Sequence, residues 1–126
     1  MKRMVLAILV LVWAAPAAGA PSRKVATAFA KEIEAAVNAN SAAVSGGPAA
    51  IRKHNEWYAS LNKKRQAMFV DADACAFASD SARSLWSTAL QFARRPSQAG
   101  YDFIVRREED YRDNMKLCKE SLRHFK

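Results

Sequence analysis

The sequence predicts an all-α fold: a small bundle of three to four helices built around a disulfide-clamped antiparallel helical hairpin, preceded by a signal peptide. Three observations carry this. Apolar and small residues recur at steps of three and four through most of the chain after residue 20, and no stretch alternates with a period of two for long enough to make a strand. Two long periodic segments, about 71–95 and 97–126, meet at Arg94-Arg95-Pro96-Ser97, where the proline pushes the residue before it out of helical geometry. Each segment carries one cysteine, equally far from that turn. Folding the chain back between Pro96 and Ser97 sets Phe92 opposite Tyr101, Ala89 opposite Ile104, Ala82 opposite Tyr111, Ala78 opposite Met115 and Cys75 opposite Cys118. Small side chains meet large ones, and the two cysteines meet each other.

Residues 1–20 have the three parts of a secretory signal: a basic start (Lys2, Arg3), an apolar core from Met4 to Ala15, and small residues through Ala17-Ala18-Gly19-Ala20. The apolar run is about a dozen residues, too short to span a bilayer of about 30 Å, so stable membrane insertion is not expected. Residues 21–126, roughly 106 in number, suit a single helical domain with one modest core. The expected location is periplasmic or secreted, where two cysteines most often form one disulfide. A Cys75–Cys118 bridge closes a loop of about 43 residues, worth roughly 4 kcal/mol in the chain-entropy account.

The elements follow in order. Ser22 offers an N-cap. From Arg23 to about Val44 an alanine-rich stripe with Val25, Phe29, Ile33, Ala36 and Val37 predicts the first helix. One aromatic is a thin stripe, so this helix is either loosely attached, leaving three as the firm core, or the fourth member of the bundle. Ser45-Gly46-Gly47-Pro48 stops that helix and starts the second, because two glycines end a helix and proline suits a first turn. The second runs from Ala49 to about Phe69 on a stripe of Ile51, His54, Tyr58, Leu61 and Met68, with Trp57 beside it. A break near Val70-Asp71 precedes the third helix, which Asp71 or Asp73 caps and which carries Cys75, Ala78, Ala82, Leu85, Trp86, Ala89, Phe92 and Ala93 to about Arg94. Ser97 caps the fourth, whose heptad-like seam is Tyr101, Ile104, Val105, Glu108, Tyr111, Met115, Cys118, Leu122 and Phe125, with one acid in it.

Few residues invite chemistry. His54-x-Glu56 matches the H-x-E half of the zinc deaminase signature, but the P-C-x-x-C half is absent. Asp71 and Asp73 lack the glycine and glutamate of a calcium loop. A nucleophilic cysteine needs a free thiol, which the hairpin register denies to both. Glu108 reads as a seam-edge acid paired with Arg112 or reaching toward Arg83, and as a general acid only if buried. There is no G-x-S-x-G, no P-loop and no H-E-x-x-H. No catalytic, cofactor-binding or metal-binding residue is therefore expected, and no enzyme activity.

The composition favours binding. The net charge of +8 biases the protein toward anionic partners, while the longest basic block, Lys63-Lys64-Arg65, is too short to predict nucleic acid. Trp57 and Tyr58 are adjacent on one helix and cannot both point inward. A tryptophan near arginine and asparagine is the composition of an interaction hot spot. The candidate interaction surface is Arg52, Lys53, Asn55, Glu56, Trp57 and Tyr58. The expectation is an exported, non-enzymatic binding protein acting on another protein, such as a cell-wall-active enzyme. In size, export and build it is similar to inhibitors of lytic enzymes and to immunity proteins. The alternative is a periplasmic chaperone or envelope-stress accessory.

Overall fold

The computed structural model describes residues 21–69 and 73–126. The expected leader at 1–20 and the expected break at Val70-Asp71 lie outside the described residues. Among the described residues all regular structure is helical: α1 (Arg23–Asn38), α2 (Asn40–Ser45), α3 (Pro48–Met68), α4 (Ala74–Arg94) and α5 (Gln98–Ser121), then a 3₁₀ turn at Leu122–His124. The helix starts follow local chemistry. Ser22 Oγ accepts from the Val25 N–H at 3.2 Å, Asp73 Oδ1 from the Cys75 N–H at 2.7 Å, and Ser97 Oγ from the Gly100 N–H at 2.9 Å. Each side chain satisfies a backbone donor that a helix start leaves free, worth about 1 kcal/mol. Gly47 holds φ at 86°, a conformation that side chains resist, and Pro48 opens α3 directly after it.

The hairpin has the register the sequence predicts. Cys75 and Cys118 form a disulfide, with Cα atoms 4.4 Å apart. Ala78, Ala82, Tyr111 and Met115 are all buried between them and the turn. Near the turn, the Phe92 and Tyr101 rings lie 6.5 Å apart. Gly100 permits this closure: a Cβ there would stand 3.1 Å from Phe92 and 3.1 Å from Ser97 Oγ, tighter than ordinary contact.

α4 is the central helix, packed by α1, α2, α3 and α5 alike. Its fully buried residues end at Trp86, and those of α5 begin only at Tyr111. The cysteine end of the hairpin is therefore core, while the turn end projects beyond it.

Two expectations change. The first periodic segment is two helices, so the described residues form five helices rather than three or four. The bend is at Ala39 (φ −89°, ψ −3°), whose N–H still donates to the carbonyls of Ala35 and Ala36. Its physical reason is the next residue. Asn40 turns its side chain into the core as an acceptor for both Tyr58 and His54, a use that apolar periodicity cannot register.

The second change concerns attachment. α1 is not loose: Ala26, Phe29, Ala30, Ile33 and Ala36 are buried, and Phe29 packs against Phe69 at 5.7 Å. The alanines make the stripe thin because they let neighbouring helices approach closely. The start of α1 is tied to the far end of the chain. Arg23 donates its N–H to the Lys126 carbonyl at 2.9 Å and its Nε–H to the Phe125 carbonyl at 3.0 Å. Glu34 of α1 pairs with Lys119 of α5 at 2.9 Å.

Ile33 has no exposed surface and tests this packing. Ile33→Ala is expected to cost about 2–5 kcal/mol in urea unfolding, as for a core position. A cost well below 1 kcal/mol would restore the loose first helix.

Candidate interaction surface

The six candidate residues lie on the first three turns of α3, but they do not form one exposed patch. Arg52, Lys53 and Glu56 are exposed. Trp57 is half-buried, its indole N–H donating to Glu32 Oε1 at 3.2 Å. The other oxygen of Glu32 binds Lys64 at 2.8 Å, so the tryptophan is held by a carboxylate that is itself anchored. Asn55 is exposed, yet its Oδ1 accepts from the Trp86 indole N–H at 2.7 Å.

Tyr58 must be corrected from surface to core: it is 3 % exposed, and its hydroxyl donates to Asn40 Oδ1 at 2.8 Å. A buried hydroxyl needs a partner, and the bend before α2 supplies one. Of the adjacent aromatics, Tyr58 faces in and Trp57 lies at the rim.

Beneath this face is a polar knot in an aromatic setting. His54 is buried, with Nε2 2.8 Å from Asn40 Oδ1. Since that oxygen only accepts, Nε2 carries the proton. The imidazole meets Trp86, Tyr58 and Trp57 edge-on, at 4.5, 5.1 and 5.5 Å between ring centroids. Tyr58 and Trp86 stack at 6.0 Å. Burial lowers the His54 pKa below its usual 6.5, against a smaller upward pull from the Ala36 carbonyl. Burial also raises the Tyr58 phenol, which Asn40 pulls the other way. The Tyr111 phenol is pushed up to about 12 by burial and then by the nearby charge of Glu34. All three groups are held neutral, and His54 and Tyr58 link α3 to Asn40 of α2.

Above the knot lies an open depression of about 620 Å³ between α2 and α3. Ala39, Ala42, Ala43 and Ala50 give it an apolar floor, Trp57 a wall, and Lys53 and Glu56 a charged rim. It exists because α2 turns at Ala39 and brings its alanines alongside α3. Sequence reasoning passed over these alanines, whose only signal is their density between Ala39 and Ala50.

The remaining candidate acid, Glu108, pairs with Arg112 rather than Arg83. It lines a smaller cleft of about 330 Å³ with Asn40, Ser41 and Tyr111. No group of three or more His, Cys, Asp or Glu side chains among the described residues is arranged to hold a metal ion. No helix among the described residues is long and apolar enough to cross a membrane.

Against known protein families, curated proteins and solved structures, the chain finds no match.

The buried imidazole sets a pH dependence. Because folding lowers its proton affinity, the unfolded chain binds the proton more readily, and protonation favours unfolding as pH falls below about 6.5. Urea midpoints measured from pH 7.5 down to 5.5 are expected to fall for the native sequence and to stay nearly level for His54→Gln. Parallel slopes in the two proteins would remove His54 as the cause.

Proposed function

We propose that this chain is an exported, non-enzymatic helical binding protein that acts on another protein, of inhibitor or immunity type, in the periplasm or outside the cell. The leader-like residues 1–20 support export. The Cys75–Cys118 disulfide supports an oxidising compartment.

The observation that carries the binding reading is the depression between α2 and α3. It combines an alanine floor, one tryptophan wall and a rim bearing both charges. An apolar anchor from a partner fits such a floor, and the rim charges fix its orientation. The surface is pre-organised. Glu32 holds Trp57, Asn40 ties α2 to α3, and the disulfide clamps the hairpin on which α3 rests. A rigid surface loses little entropy on binding, which suits a protein that blocks an enzyme or toxin by occupying it. The two residues that most invited acid–base chemistry have structural partners: His54 is tied to Asn40, and Glu108 to Arg112. A cell-wall-active enzyme or a secreted toxin is the kind of partner proposed.

The test is affinity capture from periplasmic extract with the oxidised mature chain, followed by titration of the purified partner. Ala42 and Lys53 are exposed, so Ala42→Arg and Lys53→Glu fill or reverse the site without disturbing the core. Each is expected to weaken binding about 30-fold, as for a hot-spot position. Full affinity in the double variant, with an unchanged circular dichroism spectrum, would overturn this surface.

A further inference from the structure

We infer that the projecting turn of the α4–α5 hairpin is a second binding site, for an acidic peptide segment of a partner protein anchored by one large apolar side chain. This inference stands apart from the α2–α3 depression, with which it shares no residue.

A cavity of about 600 Å³ opens at the turn. Phe92 and Phe103 wall it, Arg94, Arg95 and Arg107 line it, and no carboxylate does. Among the described residues, neither Arg94 nor Arg95 forms an ion pair. Arg107 has one exposed pairing at 3.4 Å, with Asp110, a weak contact that an incoming carboxylate can replace.

Helix-end electrostatics accounts for only one of these arginines. A cation in the last turn of α4 complements the carbonyl end of the helix, which explains Arg94. It does not explain Arg95 beyond the helix, Arg107 from the facing helix, or a phenylalanine left 52 % exposed between them. Phe103 lies off the α5 seam and outside the core, and it lines the cavity. One wall is firm: Phe92 is half-buried, with its ring 6.5 Å from that of Tyr101.

Charge complementarity names the occupant. Three guanidinium groups without a carboxylate among them call for an anion, and two phenyl rings call for an apolar anchor. Thr88 and Gln91, also on the lining, offer neutral donors and acceptors suited to a peptide backbone. A bilayer fits less well. The apex, Arg95-Pro96-Ser97-Gln98, is exposed and its only apolar side chain is a proline, whereas the aromatics face a cavity to one side. Nucleic acid fits less well too, because Asp102, Glu109 and Asp110 interrupt the cations along α5 and leave no continuous track.

The experiment uses the oxidised mature chain and a fluorescein-labelled hexapeptide with acidic residues on both sides of a central phenylalanine. Saturable binding by anisotropy is expected. It should weaken about tenfold or more for the Arg95→Glu/Arg107→Glu double variant, for Phe103→Ala, and for peptides with the acids replaced by their amides or the phenylalanine by alanine. Lys53→Glu should leave it unchanged, which separates this site from the α2–α3 surface. All three varied side chains at the turn are exposed, and circular dichroism verifies their folding. Equal binding by the tip variants and the native chain would overturn the assignment. So would association with phosphatidylglycerol vesicles that depends on the tip when the peptide fails to bind.

Discussion

How closely α4 and α5 approach one another is the constraint on which the rest of the molecule depends. At Cys75 and Cys118 their Cα atoms lie 4.4 Å apart, nearer than two helices with large side chains facing each other can come. Alanines at 78 and 82 make this possible, accepting Met115 and Tyr111 from the opposite helix. The disulfide then fixes the register and restricts the unfolded chain, a large contribution in a domain whose core is small. α1, α2 and α3 all pack onto α4, so an error of register in the hairpin would misplace every surface above it.

On this frame the polar interior works as fastening. Asn40 joins α2 to α3 and the Trp86 indole joins α4 to Asn55 on α3, while at the exposed surface Glu34 with Lys119 joins α1 to α5. Buried hydrogen-bonding groups cost stability unless satisfied, so the first two links also select one arrangement of the helices. His54 belongs to this set. Its neutral, aromatic-edged site makes it a pH-sensitive fastener between helices, and its polar contact is to a structural asparagine. What is left free to meet other molecules is surface: the alanine-floored depression over α2 and α3, and the basic cavity at the projecting turn.

Much of the hairpin was legible in the sequence, because its cause is local and doubly recorded: small opposite large, and cysteine opposite cysteine. The caps Ser22 and Ser97 were legible for the same reason, each acting within three residues of itself, and Asp73 was legible as one of two aspartates. The bend at Ala39 was not legible, since its cause, an asparagine reaching a tyrosine 18 residues away, leaves no trace in periodicity. The tightness of α1 was not legible, because a stripe with one aromatic leaves attachment open, whereas alanines act by permitting close approach. Periodicity placed Tyr58 on the buried stripe, but pairing it with Trp57 moved it to the candidate surface. Its neighbour turned out to be the residue at the rim. The cavity at the turn is absent from any single helix pattern, since it is made by Arg95 and Arg107 on opposite arms.

Hydrogen exchange before and after mild reduction tests the central place of the clamped hairpin most directly. With the disulfide opened, exchange should accelerate first at 74–82 and 114–121, the arms beside the cysteines, and spread next to the α1 amides packed on them. The arms near the turn, 88–103, should keep nearly their oxidised rates. Uniform acceleration along the whole hairpin, or no change beside Cys75 and Cys118, would contradict a fold held at its open end by that bond.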